Sequence, residues 1–237
     1  MDSAKRKEIN NNLIGFWNEA IGLDENMRKE LLMHIVPEQY AKLAPSEKLL
    51  KAVERLGKCR RVLDYGCGSG WAGIIAAHSG CKSVTAVDMG EKIIDSAKFH
   101  ADAYKVGDRI ETVRISENWL KSIPSESYDG IVCSNVLDVV PIETSREIVK
   151  ELTRIAENGA KIVIGLNFYM SKEMAEKRGI ELIEDKYLFS DGILRLTSLS
   201  DDEWKDIFTQ YFAVENLDHF AWPGEEKETR RLFLLTK

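Results

Sequence analysis

The sequence predicts an α/β fold with a doubly wound, mostly parallel sheet. From Arg60 onward, short apolar runs alternate with helical stretches, which is the pattern of a parallel sheet covered by helices. The first apolar run ends in three glycines at every second position, Gly66, Gly68 and Gly70, and an Ala/Ile-rich stretch without a helix breaker follows. Strand, glycine turn and helix bring backbone N–H groups and a positive helix end to one point, which suits a nucleotide-like ligand.

Residues 1–57 precede this alternation and predict helices only. Apolar residues recur at helical spacing in three runs, of which the second closes at Pro37 and the third ends at Gly57, as a helix cap would. One hypothesis is that Trp17 and Tyr40, which lie in this segment, pack in the core of a helical layer. The alternative hypothesis is that the segment is a lid over the ligand.

Residues 58–169 predict five strands with helices between them. We place the strands at 61–65, 83–88, 110–115, 128–134 and 161–166, and the helices near 71–79, 91–105, 117–121 and 143–157. Because the strands are short apolar runs separated by helices, they predict a buried parallel sheet.

The remainder of the chain departs from this alternation. Residues 170–199 predict an inserted helix near 171–178 and a hairpin over 187–196, whose turn is Asp191-Gly192. Residues 200–237 predict a closing helix over 204–211, opened by the capping box of Ser200 and Glu203, and two strands near 213–219 and 231–237.

Length and composition limit the class of protein. A chain of 237 residues can form one large α/β domain or two small ones, and we expect a single domain. The net charge of −6 argues against dedicated nucleic-acid binding. The four cysteines show neither C-x-x-C spacing nor a nearby histidine cluster, so we expect no metal site and no disulfide framework. Without an apolar run of membrane-spanning length or a signal peptide, the sequence predicts a cytoplasmic protein.

Two cofactor classes compete for the glycine turn. Residues 68–73 match the dinucleotide pattern G-x-G-x-x-G, and Asp88 follows at about the distance of a ribose-binding acid. Asp64 opposes this interpretation, because a carboxylate two residues before the first glycine would lie near an anionic pyrophosphate. The carboxylate of Asp64 would instead favour a ligand that carries a cationic amine.

The arrangement Asp-x-Gly-x-Gly-x-Gly from Asp64, continued by Val-Thr-Ala-Val-Asp to Asp88, resembles the first two motifs of class I S-adenosylmethionine-dependent methyltransferases. The resemblance implies that Asp64 faces the methionine part of the cofactor and that Asp88 binds the ribose hydroxyls. It also implies a three-layer sandwich with a Rossmann-like sheet of seven strands in the order 3-2-1-4-5-7-6. Strand 7 of that sheet is antiparallel.

The same resemblance implies a set of cofactor-binding residues at the carboxyl ends of four strands. The loop after the third strand binds adenine in this family, and the end of the fourth strand borders methionine and adenosine. The implied residues are Asp64, Gly66, Cys67, Gly68, Gly70, Asp88, Met89, Ser116, Glu117, Asn118, Ser134 and Asn135.

The methyl acceptor has no diagnostic motif, and the expected acceptor is a small molecule. Asp138 follows the fourth strand and is a candidate base or substrate contact, and Trp17, Tyr40 and Asn167 are further candidate substrate contacts. The N-terminal helices and the 187–196 hairpin are expected to wall the substrate pocket. Two alternatives stay open: a non-catalytic module that binds S-adenosylmethionine or S-adenosylhomocysteine, and an NAD(P)-dependent oxidoreductase.

Overall fold

The structure is a computed structural model that describes residues 3–237. Nine strands are present in this part of the chain: β1 Arg61–Tyr65, β2 Ser83–Asp88, β3 Ile110–Arg114, β4 Tyr128–Ser134, β5 Ala156–Leu166, β6 Tyr187–Ser190, β7 Ile193–Thr197, β8 Ala213–Phe220 and β9 Arg230–Thr236. Strands β6 and β7 form a separate hairpin, and the other seven form one sheet.

The order of the large sheet is β3-β2-β1-β4-β5-β9-β8. The first five strands pair in parallel, whereas β9 pairs antiparallel with both β5 and β8. Since β8 and β9 are the sixth and seventh strands of this sheet, the predicted order and the antiparallel seventh strand are confirmed. The carboxyl ends of β1, β2, β3 and β4 therefore meet along one edge, where a ligand crevice is expected.

Nine α-helices accompany the strands within residues 3–237: α1 Ser3–Ile21, α2 Glu25–His34, α3 Glu47–Glu54, α4 Trp71–His78, α5 Glu91–Ala103, α6 Trp119–Ser122, α7 Ile142–Ile155, α8 Lys172–Lys177 and α9 Asp201–Phe208. Two 3-10 segments, Pro37–Leu43 and Arg55–Lys58, flank α3.

The core lies on both faces of the sheet. Successive residues of a strand point to opposite faces, and Val62 and Leu63 accordingly join different apolar clusters. One cluster packs α3, α4 and α5 against the sheet, and the other packs α6, α7 and α9. This gives the three layers that the sequence predicts.

Several predicted boundaries were wrong by a few residues. Strand β5 begins at Ala156, because its first residues pair with β4 across a bulge, and Gly159 turns with φ +79°. Helix α9 begins at Asp201 and ends at Phe208, since its capping box closes on Ser200. No helix among residues 3–237 combines the length and apolar character needed to cross a membrane.

Candidate functional site

The glycine turn between β1 and α4 opens a cavity at the carboxyl edge of the sheet. Gly66 and Gly68 have φ of +70° and +53°, a conformation that residues with a side chain rarely adopt. A Cβ on Gly66 would overlap Cγ2 of Val136, and a Cβ on Gly68 would face Cδ1 of Ile21 at 3.6 Å. The turn therefore needs glycine for its backbone, and at Gly68 the missing side chain leaves space for a ligand.

Asp88 ends β2 and anchors this turn. Its Oδ2 accepts a hydrogen bond from Gly68 N at 3.2 Å, and its Oδ1 accepts from Met89 N at 2.7 Å and from Gly90 N at 3.3 Å. Burial raises the pKa of Asp88, although the three N–H donors oppose this shift. Each carboxylate oxygen offers about two acceptor positions, so Oδ2 can accept a further donor from a ligand in the cavity.

Asp64 does not face the cavity, contrary to the implied contact with methionine. Its side chain is buried, at 3% exposure, and Oδ2 accepts a hydrogen bond from Gly73 N in the first turn of α4 at 2.9 Å. Burial raises the pKa of Asp64 to about 7, opposed by the Gly73 N–H and reinforced by the nearby Asp88 charge. Asp64 thus satisfies a backbone N–H in the first turn of α4 and ties the end of β1 to that helix.

The cavity has a volume of about 500 Å³, which is in the usual range for a small-molecule site. Ten of the residues predicted to touch the cofactor or the substrate line it: Trp17, Gly66, Cys67, Gly68, Asp88, Met89, Glu117, Asn118, Ser134 and Asn135. These residues come from α1, the glycine turn and the ends of β2, β3 and β4, so the topology gathers them from distant parts of the sequence.

Six predicted site residues are not among those that line the cavity: Tyr40, Asp64, Gly70, Ser116, Asp138 and Asn167. Gly70 is instead the N-cap of α4, with φ +82°. Ser116 contributes a backbone carbonyl that accepts from Trp119 N at 3.0 Å, which starts α6. Tyr40 stacks on His78 with ring centroids 4.3 Å apart. The prediction that Tyr40 walls the substrate pocket was therefore wrong.

Asp138 and Asn167 belong to a buried polar network. Asp138 is fully buried, and its Oδ2 accepts a hydrogen bond from Asn167 N at 2.5 Å. Burial raises the pKa of Asp138, while the Arg231 charge and the Asn167 hydrogen bonds lower it. A carboxylate enclosed in this way cannot reach an acceptor in the cavity, so the prediction that Asp138 is a base or a substrate contact was wrong. Asn167 lies behind the residues that line the cavity and does not contact its interior.

Helix α1 supplies six lining residues that the sequence did not assign. Arg6, Lys7, Asn10, Leu13, Ile14 and Ile21 line the cavity beside Trp17. Asn10 Nδ2 donates to Glu117 Oε1 at 3.3 Å, which ties α1 to the loop after β3. These residues recur at helical spacing with Trp17, so they share one face of the helix. This periodicity in the sequence could have identified them as lining residues.

The hairpin of β6 and β7 supports α1 but does not line the cavity. Ile9 of α1 packs in a buried cluster with Tyr187 and Leu194. The Arg195 guanidinium carbon lies 3.8 Å from the centroid of the Phe16 ring. The prediction that residues 187–196 form a substrate wall was therefore wrong; the hairpin holds the helix that forms it.

The described residues contain no group of three or more His, Cys, Asp or Glu side chains arranged to hold a metal ion. All four cysteines are free and buried. Trp222, which the sequence did not identify, also lines the cavity after the end of β8.

Residues 62–159 match the family model of a methyltransferase domain. Among curated relatives, the chain is 33% identical over 138 residues to the ribosomal protein L11 methyltransferase of Bacillus velezensis, covering 57% of this chain and 42% of that protein. It is 32% identical over 83 residues to a ubiquinone biosynthesis O-methyltransferase of Neisseria meningitidis, covering 35% and 34%. The chain thus spans less than half the length of these relatives.

Solved structures share the fold. A methyltransferase from Methanosarcina mazei described as S-adenosylmethionine-dependent superimposes with a TM-score of 0.63 at 22% identity, over 75% of this chain and 92% of that one. The N-methyltransferase NodS from Bradyrhizobium japonicum, in complex with S-adenosylhomocysteine, gives a TM-score of 0.57 at 17% identity, over 80% and 84%.

Proposed function

We propose that this chain is a class I S-adenosylmethionine-dependent methyltransferase that transfers the methyl group of S-adenosylmethionine to a small-molecule acceptor. The observation that carries the proposal is the cavity in which the glycine turn, Asp88 and the ends of β3 and β4 meet beneath α1.

The residues of the cavity fit this cofactor. Asp88 Oδ2 has an acceptor position left for a hydroxyl of a ribose, and the three backbone N–H donors hold the carboxylate in place. Met89, Ile115 and Asn118 supply apolar surface and an amide where an adenine would lie. The missing side chain of Gly68 leaves the backbone of the turn accessible to the methionine part.

The bound cofactor supplies an activated methyl group on a sulfonium. The chain therefore has to align the acceptor, exclude water and bind both partners, and alignment alone contributes a large part of such rate enhancements. Leu13, Ile14 and Trp17 of α1 are placed to cover the cavity and keep water away from the transfer. Within residues 3–57 we assign this covering role to α1, since α3 packs against the sheet, and we assign residues 58–169 to cofactor binding.

The covering helix favours a small acceptor over a protein. Several contacts hold α1 over the cavity, among them Asn10 to Glu117 and Arg6 Nη1 to Glu147 Oε1 at 3.5 Å. A side chain of a folded protein would have to displace this helix to reach the cofactor. Some relatives are named as methyltransferases of ribosomal protein L11, so a protein acceptor is the second candidate.

Calorimetric titration of the full chain tests the cofactor assignment. We expect S-adenosylhomocysteine to bind and NADH to show no measurable heat of binding. If NADH binds and S-adenosylhomocysteine does not, an oxidoreductase replaces the proposed activity. Turnover of S-adenosylmethionine against a metabolite panel, with bacterial ribosomal protein L11 in parallel, then separates a small-molecule acceptor from a protein acceptor and from a module that only binds.

A further inference from the structure

We infer that the acceptor binds against Trp222 and Asn135, and that it is a flat, uncharged molecule whose O–H or N–H group lies beside Asn135. The inference rests on the proposed function and adds the chemical class of the acceptor. It is carried by the polar network that holds these two residues at the wall of the cavity.

Trp222 is clamped in one orientation. The Arg230 guanidinium carbon lies 3.7 Å from the ring centroid of Trp222, so it covers one face of the indole. Arg230 Nε and Nη2 donate to Glu225 at 2.6–3.0 Å, and Glu225 Oε2 accepts from Trp222 N at 2.8 Å. A large aromatic surface held at a cavity wall favours a flat partner, because rings pack face to face with an offset or edge to face.

The charges around Trp222 are already matched. Arg230 is largely buried and pairs with Glu225, and the hydrogen bond from Arg230 lowers the pKa of Glu225. The other charged residues that line the cavity belong to α1, α6, α7 and the loop before α6, apart from Asp88 on β2. A net charge on the acceptor would therefore be desolvated at Trp222 without a partner, and this favours an uncharged molecule.

The amide of Asn135 is oriented by its neighbours. Asn167 Oδ1 accepts a hydrogen bond from Arg230 Nη1, so the oxygen of that amide faces the network. Asn135 Nδ2 donates to the same oxygen at 3.5 Å, which leaves Asn135 Oδ1 with only a long hydrogen bond from Ser134 Oγ at 3.4 Å. A free acceptor position on Oδ1 can thus receive an O–H or N–H from the ligand.

The backbone supports a role for Asn135. It has φ +58°, a left-handed conformation that is uncommon for residues other than glycine and that concentrates at functional sites. An amide oxygen accepts a hydrogen bond without removing the proton, so Asn135 is a positioning group and not a base. No histidine lines the cavity in the part of the chain that the structure describes.

The acceptor is therefore a nucleophile that Asn135 positions and does not deprotonate, such as a phenol or a neutral amine. Its lone pair attacks the methyl carbon, the carbon–sulfur bond breaks with its electron pair on sulfur, and the acceptor's proton leaves to water. This methyl transfer requires no co-reactant beyond the proposed methyl donor.

The test for a flat acceptor uses 2-naphthol and trans-decahydro-2-naphthol, which are both uncharged and share a hydroxyl group, but only one is flat. The full chain is saturated with S-adenosylhomocysteine, and binding of each probe is measured by saturation-transfer NMR and calorimetry. We expect 2-naphthol to bind about tenfold more tightly or better, since aromatic stacking is lost with the saturated ring. Equal affinity for the two probes would overturn the inference.

Variants locate the site. Trp222→Leu should weaken 2-naphthol binding about tenfold and Trp222→Phe by only a few-fold, because phenylalanine keeps a flat face. Trp119→Leu is the matched control, since Trp119 is also partly buried but does not line the cavity. An equal loss in both leucine variants would overturn the placement at Trp222.

Asn135→Gly tests the hydrogen bond without backbone strain, because glycine accepts the left-handed conformation. The parent should prefer 2-naphthol over 2-methoxynaphthalene, which lacks the O–H donor, and the variant should lose that preference. An unchanged preference would exclude Asn135. In the parent and in every variant, the affinity for S-adenosylhomocysteine is measured first. If the parent does not bind S-adenosylhomocysteine, the proposed function is refuted instead of this inference.

Discussion

Replacement of the buried Asp64 by asparagine should change how stability depends on pH. Burial raises the pKa of Asp64 from 3.8 to about 7 in the folded protein, while the unfolded chain keeps the ordinary value. Between these two values the unfolded chain has lost the proton and the folded one retains it. The contribution of Asp64 to the free energy of unfolding therefore falls as pH rises from about 4 to about 7, and it stays constant above that.

The size of this effect follows from the two pKa values. Their difference of about 3, from 3.8 to about 7, corresponds to roughly 4 kcal/mol at about 1.4 kcal/mol for each pKa unit. An asparagine side chain at this position would not titrate, and its amide oxygen could still accept from Gly73 N. The Asp64→Asn variant should thus gain stability over the parent by up to roughly 4 kcal/mol as pH rises to 7.

Urea unfolding of both proteins at intervals from pH 4 to pH 8 measures this difference. Asp129→Asn is a control whose own titration lies below this interval. Burial raises the pKa of Asp129, but hydrogen bonds from the Arg60 and Arg61 backbone and from the Arg60 side chain outweigh burial and leave this pKa below its ordinary value of 3.8. Its contribution to stability is therefore lost only below about pH 4, and the Asp129→Asn curve should run parallel to that of the parent from pH 4 to pH 8. Parallel stability curves for the parent and Asp64→Asn across pH 4–7 would refute the reasoning.

Four further changes test the site through the binding of S-adenosylhomocysteine, the first two by calorimetry. Asp88→Ala should weaken binding at least about tenfold, since charge-assisted hydrogen bonds are worth about 1.5–3 kcal/mol each; unchanged affinity in a folded variant would remove Asp88 from the site. Gly68→Val should abolish binding, with a smaller effect on the melting temperature without ligand, and normal binding would make the turn purely structural. Asn10→Ala should accelerate ligand dissociation in stopped-flow traces, and an unchanged rate would exclude the contact with Glu117 as a restraint. Trp17→Ala should keep affinity within a few-fold but reduce ligand-induced hydrogen-exchange protection of α1, and full protection would contradict its covering role.

The sequence predicted the sheet well because each strand is specified locally. Buried parallel strands are short apolar runs, and the glycines after β1 must lie where the backbone turns with positive φ. The strand ends then follow from topology, so Asp88, Glu117 and Asn135 could be placed at one edge before any contact was known.

The predictions of site residues failed where a residue distant in the sequence determines the orientation of the side chain. Asp138 follows β4 closely enough to reach the crevice, yet Arg231 and Asn167 draw its carboxylate into the interior. Tyr40 lies in an amphipathic segment, and its stacking on His78 cannot be read from local spacing. Trp222 was missed for the same reason, because its place at the cavity depends on Arg230 and Glu225.

Helix α1 is held unevenly along its length, and this sets a direction for ligand exit. Its first half is fixed by buried packing of Ile9 against the hairpin. Its last turn is held to α5 by exposed contacts: the ion pair of Glu19 with Lys92, whose side chains are 70% and 54% exposed, and a hydrogen bond that Asn18 Oδ1 accepts from Lys92 N at 2.8 Å. Exposed pairs are weak and are screened by salt. We therefore expect the Ile21 end of α1, which faces Gly68, to move away from the cavity first. Bound S-adenosylhomocysteine would then leave past the glycine turn, and its dissociation rate should increase as ionic strength rises.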